Sequence, residues 1–470
     1  MSLNRKEFLW ASALAAGAVP MVGNAGLFQR GRQNMCGFYA PPMDKVRVGI
    51  IGLGMRGTGA VKRLSKIRDV EIVALCDLRE EMVVRSQKLL ADAGRRPAKP
   101  FSGSEAVWKE LVALDLDLVY IVTPWRWHTP MAVHAMKNGK HTATEVPAAM
   151  TIEDCWERVE TSEKTGRHSM MLENCCYDFF ELQTLNMVRQ GVFGELTHAE
   201  GAYIHSLCEL ITNEEGDDSY QSQWRFHQNI GQNGNLYPTH GLGPVSQCLD
   251  INRGNKYDYL VSMSSQEAAF TEWARENNEK YADIDNYRGD MNSTLIKCAN
   301  GQTIMVQHDV SSPRPYSRIH MLQGTKGIAR KYPARRIALI DRNHGHKWLN
   351  SEEKKEMAAK YEHPLTRTIG EIAKKVGGHG GMDFIMDYRL IYCLKNGLPL
   401  DQDVYDAAAW SCIVPLSLKS VARKSDSIDI PDFTRGAWKT NAPLGIVDVD
   451  PAKLPLFDVK SIGGDTHGVS

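Results

Sequence analysis

Two short stretches of this sequence contain residue types that transfer protons in enzymes. Tyr237-Pro238-Thr239-His240-Gly241 lies in a region rich in glycine and asparagine, and Glu173-Asn174-Cys175-Cys176-Tyr177 follows a short apolar run. Histidine and tyrosine act as general acids or bases when the reacting group is within hydrogen-bonding distance. A histidine between glycine and hydroxyl-bearing residues is not typical of an apolar core, so His240 with Tyr237 is the stronger candidate pair. Tyr177 is either catalytic or a buried structural tyrosine.

Other segments have the properties of a cofactor or sugar site. The turn Thr123-Pro124-Trp125-Arg126-Trp127-His128 contains two tryptophans that can flank a nicotinamide or a sugar ring; a packed aromatic turn is the alternative. Tyr203, Arg225 and Tyr316 lie in or after strand-like segments and carry hydrogen-bonding groups for a polyol. We expect these residues to bind a ligand.

A glycine pattern in its full context predicts a dinucleotide site. The strand-like run Val46–Gly52 leads into Gly52-Leu53-Gly54-Met55-Arg56-Gly57, and a helix-like stretch follows. The first glycine permits the tight turn, the second lets the backbone approach a pyrophosphate, and the third allows close contact between helix and strand. Asp77 ends the next apolar run, where a carboxylate binds the ribose hydroxyls of NAD. Arg79 leaves the choice between NAD and NADP open, because an arginine just after the acidic residue can bind the 2′-phosphate of NADP.

The elements that must position these groups alternate between strand-like and helix-like runs in the first half of the chain. Strands are predicted at Val46–Gly52, Glu71–Asp77, Leu118–Thr123, His141–Glu145 and Ser169–Glu173, and helices at Thr58–Arg68, Glu80–Ala93, Pro130–Asn138 and Ile152–Thr165. This order predicts an α/β fold with a doubly wound parallel sheet of the Rossmann type. Ligands of such sheets bind at the carboxyl ends of the strands, where the motifs fall.

The second half has alternating runs that are typical of an antiparallel sheet. They lie at Leu196–Tyr203, Asp258–Ser264, Asn292–Cys298 and Thr303–Val310. Loops are predicted at Asn229–Gly243 and Gly377–Gly381, and a late helix at Val404–Arg423. We therefore predict an export signal at residues 1–30, a dinucleotide-binding Rossmann domain at 44–175, an α+β substrate domain on a largely antiparallel sheet at 176–440 and a C-terminal tail at 441–470.

Composition argues against several classes of function. The chain of 470 residues has 56 basic and 56 acidic residues, so its charge does not favour nucleic-acid binding. No segment after the N-terminal region is apolar over the length of a membrane span. The ten cysteines have neither CxxC nor Cys/His spacing, so no metal site is predicted. An open sheet in the second domain often supports subunit contacts, which leaves a homo-oligomer open.

The N-terminal residues have the order of an export signal. A charged segment with Arg5 and Lys6 precedes a short apolar run at residues 10–22. The Arg-Lys-x-Phe-Leu order resembles a twin-arginine signal in which Lys6 replaces the second arginine. Twin-arginine export carries folded proteins, which suits an enzyme that acquires a dinucleotide before it leaves the cytoplasm. We expect an exported, periplasmic protein; the alternative is an amphipathic N-terminal helix.

Glu145-Val146-Pro147 distinguishes this chain from an ordinary dehydrogenase. Rossmann dehydrogenases of the glucose–fructose oxidoreductase and inositol dehydrogenase group usually have Glu-Lys-Pro after this strand, and the lysine assists proton transfer from the alcohol. Val146 cannot transfer a proton. The site is therefore either inactive or uses a proton relay of other residues.

Together, the glycine fingerprint, the Trp-Arg-Trp-His turn, Glu145-Val146-Pro147, Asn174-Cys175-Cys176-Tyr177 and Tyr237-Pro238-Thr239-His240 resemble glycoside hydrolase family 109 over residues 44–440. That family comprises NAD-dependent α-N-acetylgalactosaminidases of the superfamily just named. The resemblance implies a glycoside or glycan substrate and a tightly bound NAD that is not consumed. Oxidation of the sugar at C3 makes the C2 proton removable, the aglycone leaves C1, water adds, and C3 is reduced again.

The resemblance also implies roles for individual residues. His240 would remove the C3 hydroxyl proton, Tyr177 would be the base at C2, and Tyr237 would support the same region; the roles of His240 and Tyr177 can be exchanged. The cofactor-binding residues would be Gly52, Gly54, Met55, Arg56, Gly57, Asp77, Trp125, Arg126, Trp127, His128, Glu145, Val146 and Asn174. The sugar-binding residues would be Tyr203, Arg225, Tyr237, Pro238, Thr239, His240 and Tyr316.

Two other functions stay open at this point. A sugar or inositol dehydrogenase would use His240 in place of the missing lysine. A sugar-binding protein without activity would keep its dinucleotide as a structural group.

Overall fold

The computed structural model describes residues 32–214, 223–450 and 452–453. The predicted export signal at residues 1–30 therefore lies outside the described residues. Two sheets, one in each half of the chain, organise the described part. No helix in this part is long and apolar enough to cross a membrane.

The first sheet is parallel throughout, which confirms the predicted Rossmann-type architecture. Its strands are β1 Val46–Ile51, β2 Val70–Cys76, β3 Lys99–Phe101, β4 Leu118–Ile121, β5 His141–Thr144 and β6 Ser169–Met171. They are ordered β3-β2-β1-β4-β5-β6, so the chain reverses direction across the sheet between β1 and β4. The sequence analysis missed β3, because three residues are too few to show a period.

Helices cover both faces of this sheet and separate its strands along the chain. They are α1 Met55–Leu64, α2 Glu80–Asp92, α3 Trp108–Val112, α4 His128–Lys137 and α5 Ile152–Thr165. The ends of α5 have local causes: the Thr151 side chain accepts a hydrogen bond from the Asp154 amide, and Gly166 ends the helix in the left-handed conformation.

The second sheet has eight strands and is largely antiparallel, as predicted. They are β7 Leu196–Ile204, β8 Tyr257–Ser264, β9 Asn292–Cys298, β10 Thr303–Asp309, β11 Met321–Gly324, β12 Gly327–Arg330, β13 Arg336–Leu339 and β14 Ile428–Asp429. Their order is β13-β12-β11-β7-β10-β9-β8-β14, and the central pair β7 and β10 is parallel.

The helices of the second half differ from the predicted elements at two places. They are α6 Phe179–Arg189, α7 Cys208–Thr212, α8 Trp224–Gln228, α9 Thr239–Cys248, α10 Ala269–Asn277, α11 Ser351–Lys360, α12 Pro364–Val376, α13 Met382–Asn396, α14 Val404–Ser411 and α15 Ile413–Ala422. The late helix predicted at 404–423 is divided at Cys412, and α9 begins inside the loop predicted at 229–243.

Part of the predicted C-terminal tail packs on the core. Val449 is buried, and the Arg389 guanidinium donates to the Asp448 carbonyl at 3.1 Å. The tail therefore contributes to the fold at least as far as residue 449.

Helix α13 returns the chain from the second half to the first sheet. The Arg63 guanidinium of α1 donates to Asp387 of α13 at 2.7 Å, and the Tyr120 hydroxyl of β4 donates to the same carboxylate at 2.7 Å. All three side chains are buried. A buried ion pair holds its partners strongly, because loss of one partner leaves the other charge uncompensated. This contact attaches α13 to α1 and β4 of the first half.

Two glycines of the loop between β1 and α1 are required by the packing of the chain itself. Gly52 has φ +90°, and a Cβ there would overlap the Val122 carbonyl. A Cβ on Gly57 would overlap the Gly52 carbonyl oxygen. Around Gly54, by contrast, no atom lies within 4 Å of where a Cβ would be. The first and third glycines therefore serve the fold, and the second faces open space.

We expect Gly57→Ala to lower the free energy of unfolding by about 1–3 kcal/mol, because the added methyl group overpacks the helix against the turn. Gly54→Ala is the matched control and should change it little. Urea unfolding of both variants measures the difference. Equal stabilities would contradict the packing argument.

Candidate active site

The carboxyl ends of five parallel strands bring the predicted cofactor-binding motifs to one edge of the first sheet. Gly52 to Gly57 follow β1, Asp77 follows β2, the Trp125–Trp127 turn follows β4, Glu145 follows β5 and Asn174 follows β6. Residues separated by more than a hundred positions in sequence are thus adjacent here.

The glycine loop and Asp77 have the geometry of a dinucleotide cradle. One carboxylate oxygen of Asp77 accepts the Leu53 amide at 2.7 Å, and the other accepts the Arg79 amide at 2.9 Å. The carboxylate is therefore held beside the turn, where it can accept ribose hydroxyls with its remaining lone pairs. Open space at Gly54, at the N-terminus of α1, suits a pyrophosphate. The residues present fit NAD.

Arg56 connects this loop to residues of the second half of the chain. Its guanidinium donates to Glu145 at 2.9 Å and to Asp383 of α13 at 2.8 Å. The Asn174 amide donates to the other oxygen of Asp383, and His379 Nδ1 lies 3.0 Å from Asp383. The sequence analysis did not assign Asp383 or His379, because nothing in their spacing reveals a contact with Arg56.

Asp383 is ionised within this cluster. Its burial raises the pKa, but Arg56 and Arg63 outweigh that effect and bring the pKa well below its usual value. One buried carboxylate therefore holds Arg56, and through it Glu145, at the predicted cofactor edge.

The turn after β4 corrects part of the predicted cofactor set. His128 is fully buried, with Nδ1 2.8 Å from the Pro147 carbonyl and Nε2 2.7 Å from the Thr123 carbonyl. Desolvation lowers its pKa to about 4. His128 therefore joins two loops and offers no group to a cofactor.

The rest of that set differs in exposure. The Arg126 guanidinium is exposed, 3.4 Å from Glu105. Trp127 packs beside the apolar residues under the sheet, and Val146 is buried. Any cofactor contact of Arg126 or Val146 would therefore come from the main chain or the edge of the side chain.

Trp125, Tyr203 and Tyr237 form an aromatic box around Arg225. The Arg225 guanidinium carbon lies 5.7, 5.8 and 4.8 Å from their respective ring centroids. The Tyr203 and Tyr237 rings are 4.5 Å apart, and Trp125 lies 5.9 Å from Tyr237. The structure thus places Trp125 with three of the predicted sugar-binding residues. Flat aromatic faces with a cation between them suit a sugar ring and its hydroxyls.

Tyr316 extends the aromatic box outward. Its ring is 6.4 Å from Tyr203 and 5.0 Å from His205, a residue that the sequence analysis did not single out. Tyr316 keeps 38% of its surface exposed, so it lies at the mouth of the site. Pro238 and Thr239 are buried at the start of α9, where they set the position of the next residue, His240.

His240 is held by a buried carboxylate. Its Nδ1 lies 2.8 and 3.0 Å from the two oxygens of Glu173, whose side chain is fully buried. Burial raises the pKa of Glu173, but the charge and hydrogen bonds of His240 outweigh it and the pKa is lowered. Because this carboxylate only accepts hydrogen bonds, Nδ1 donates to it, and in the neutral form of the ring Nε2 carries the lone pair.

The His240 ring also contacts the aromatic box, at 5.3 Å from Tyr203 and 4.9 Å from Tyr237. His240 and Tyr237, the stronger candidate pair from sequence, are therefore neighbours. Glu173 was missed as their partner. The one sequence signal for Glu173 was its position at the end of a strand. In that stretch the sequence favoured Tyr177, four residues later, instead.

The structure corrects the expectation for Tyr177. Its hydroxyl donates to Asp401 at 3.2 Å, and Asp401 is paired with Arg389 at 2.6 Å. Burial and the Asp401 carboxylate raise the pKa of Tyr177 well above its usual value. Within the described residues, no ring contact joins Tyr177 to the aromatic box. A buried phenol that donates to a carboxylate is a structural tyrosine and not a base.

Glu173, Cys175 and His240 also place three potential metal-binding atoms within 4.8 Å of one another. Metal ligation needs a thiolate, whereas burial raises the pKa of the Cys175 thiol well above its usual value. His240 Nδ1 is used by Glu173. We therefore interpret the group as a hydrogen-bonded support for His240.

Two family models match the chain, one in each half. The "Oxidoreductase family, NAD-binding Rossmann fold" matches residues 46–172, and the "Glycosyl hydrolase 109, C-terminal domain" matches residues 177–440. The chain is 47% identical over 452 residues to a glycosyl hydrolase family 109 protein of Porphyromonas gingivalis, covering 93% of this chain and 95% of that protein. It is 50% identical over 415 residues to an alpha-N-acetylgalactosaminidase of Bacteroides fragilis, covering 86% and 96%.

Solved structures are similar in fold at lower identity. A levoglucosan dehydrogenase in complex with NADH and levoglucosan has a TM-score of 0.62 at 16% identity and covers 83% of this chain and 100% of that chain. A myo-inositol 2-dehydrogenase of Lactobacillus plantarum has a TM-score of 0.56, also at 16% identity, and covers 82% and 100%. Both share the two-sheet architecture.

We expect Gly54→Ala to weaken NAD binding by about tenfold or more, which corresponds to about 1.4 kcal/mol, because a methyl group there occupies the space left for the pyrophosphate. Gly445→Ala is a matched control, since Gly445 also faces open space but lies outside the site. Titration of the cofactor-depleted protein with NADH measures both affinities. Unchanged affinity in Gly54→Ala would place the pyrophosphate elsewhere.

Proposed function

The chain belongs to glycoside hydrolase family 109, and from this membership we propose that it releases terminal N-acetylgalactosamine from glycosides with a tightly bound NAD that is not consumed. The observation that carries the proposal is His240, which is fixed by a buried carboxylate and lies beside the aromatic box. The relative from Bacteroides fragilis named alpha-N-acetylgalactosaminidase supports the choice of sugar.

A redox step explains why a glycosidase needs a dinucleotide. The C2 hydrogen of a sugar is not acidic, so the C1 substituent cannot be eliminated directly. A bound NAD⁺ would supply the acceptor for the hydride from C3, and the resulting NADH would supply the hydride for the final reduction. With a carbonyl at C3, the C2 proton is α to it and a positioned base can remove it. The C1–O bond then breaks, water adds at C1, and C2 regains a proton.

We assign the proton at the C3 hydroxyl to His240. Glu173 fixes the ring so that Nε2 carries the lone pair, and it stabilises the imidazolium once the proton has moved. The same nitrogen returns the proton when C3 is reduced again. Related dehydrogenases use a lysine at the position of Val146 for this proton. Because valine cannot carry a proton, the role falls to His240.

The base at C2 is then Tyr237, in place of Tyr177. Arg225 lies nearest to the Tyr237 ring, at 4.8 Å, against 5.8 Å for Tyr203. The Tyr237 ring also lies 4.9 Å from the His240 ring, so the two proposed proton carriers are adjacent. Tyr203 and Arg225 hold the sugar, and Tyr316 covers its outer face.

The export signal belongs to the same proposal. The charged and apolar order at residues 4–22 supports export in the folded state, with NAD already bound. A cofactor that is regenerated in each cycle suits a compartment with little dinucleotide to exchange.

Hydrolysis of para-nitrophenyl α-N-acetylgalactosaminide in deuterated water, without added NAD, tests the function. We expect release of the phenol, deuterium at C2 of the product and no net NADH. Accumulation of NADH with free sugars would instead identify a sugar or inositol dehydrogenase. Absence of turnover on a panel of glycosides and sugars would identify a binding protein.

Glu173→Gln tests the support of His240. We expect kcat to fall by about 10²-fold or more with a small change in KM, because the amide cannot stabilise the imidazolium. Measurement of kcat and KM, of NADH binding and of urea unfolding separates this effect from a loss of structure.

Glu163→Gln is the matched control for Glu173→Gln. Glu163 is likewise buried and accepts hydrogen bonds from Tyr405 and Arg435, but it lies outside the site. It should keep kcat. A Glu173→Gln enzyme with the kcat of the parent would remove His240 from the proposed proton path.

A further inference from the structure

A cavity lies near the mouth of the aromatic box, on the side of α12 and β12. Its volume is about 460 Å³, within the range of small-molecule sites. Cationic and aromatic side chains dominate its lining, which includes Asp178, Lys331, Tyr332, Arg335, Lys374 and His379. We call this cavity the basic pocket.

Two residues that line the basic pocket contact residues of the proposed site. The Tyr332 ring lies 5.8 Å from Tyr316 at the mouth of the aromatic box. On the opposite side, His379 lies 3.0 Å from Asp383, the carboxylate that holds Arg56. A sugar in the aromatic box would therefore have the basic pocket one ring further outward, where the remainder of a glycan continues.

The carboxylates at the base of the pocket are already neutralised. Asp178 accepts hydrogen bonds from both Arg318 and Lys331, and Glu181 accepts from the same two cations. Burial raises the pKa of Asp178, but Arg318 and Lys331 outweigh it and hold the pKa well below its usual value. Two negative charges thus offset two positive ones.

The remaining charges leave an excess of positive charge at the rim. Lys374 Nζ lies 2.7 Å from Glu371, which is itself exposed and outside the lining. Arg335 is exposed, its guanidinium carbon lies 5.9 Å from the Phe180 ring, and within the described residues it makes no ion pair. An arginine with open donors beside a lysine suits an oxyanion, because charge-assisted hydrogen bonds are the strong ones.

We infer that the basic pocket binds an anionic substituent, a sulfate or a carboxylate, on the sugar that departs with the aglycone. This inference rests on the proposed function. The Tyr332 ring flanks that sugar, and Arg335 and Lys374 hold its charge. The enzyme then prefers acidic glycans to neutral ones of the same linkage.

Three disaccharides with α-N-acetylgalactosamine at the non-reducing end test the preference. They carry galactose, 6-sulfated galactose or galacturonic acid as the leaving sugar. We expect kcat/KM at low salt to be about tenfold higher for an anionic disaccharide than for the neutral one, the effect of one charge-assisted hydrogen bond. The ratio should fall as salt screens the rim charges. Preference for one anionic disaccharide over the other identifies sulfate or carboxylate as the group recognised.

Variants of the pocket residues test whether Arg335 and Lys374 cause the preference for anionic disaccharides. In the double variant Arg335→Ala and Lys374→Ala, the ratio of anionic to neutral kcat/KM should fall to near one. The matched double variant Arg336→Ala and Lys375→Ala changes the adjacent exposed cations, which lie outside the lining, and should keep the ratio of the parent enzyme.

The outcomes separate this inference from the proposed function. Cleavage of the neutral disaccharide at the same rate as the anionic ones overturns the inference and leaves the glycosidase intact. A preference that survives loss of Arg335 and Lys374 also overturns it. Failure to cleave any of the three disaccharides counts against the glycosidase itself.

Discussion

The site depends on one buried carboxylate, Asp383. It pairs with Arg56 at 2.8 Å and with Arg63 at 3.5 Å, so α13 of the second half is attached to the helix that follows the glycine loop. Removal of one partner from such a buried cluster costs about 3–5 kcal/mol, because the remaining charges are uncompensated. Glu145 and Asn174 take their positions from the same cluster. This ion pair therefore sets the position of the cofactor-binding residues relative to the sugar-binding residues.

A second contact, between Glu173 and His240, also joins the two halves of the chain. Glu173 follows the last strand of the first sheet, whereas His240 lies in α9, which belongs to the second half. The proposed proton carrier on one half is thus oriented by a carboxylate on the other. Because α9 also packs against β7, where Gly201 and Gly241 leave no room for side chains, the histidine cannot shift without moving the sheet. The candidate site is a property of the two-domain arrangement.

The sequence predicted the parts of this arrangement that depend on local pattern. Strand periodicity, the glycine loop and Asp77 each have a short-range signal, and the structure has them where the pattern placed them. Asp383 and His379 were not assigned, because their contacts with Arg56 join residues more than 300 positions apart. In Glu173–Tyr177 the motif was recognised, but the sequence did not reveal that Glu173 contacts His240. A single turn of 3₁₀ helix at Asn174–Tyr177 decides which of these side chains lies toward His240. The sequence does not reveal the direction of that turn.

The proposed cycle requires a proton carrier that works in both directions. Oxidation at C3 releases a proton and the final reduction takes one back, so the same residue acts as the base in the first step and as the acid in the last. A histidine open to water would exchange its proton with solvent, whereas His240 lies between Glu173 and two tyrosine rings. A lysine at position 146 would add a second carrier beside the cofactor. With valine there, His240 is the proposed carrier of the C3 hydroxyl proton, and the cycle closes without net oxidation because the hydride returns to C3.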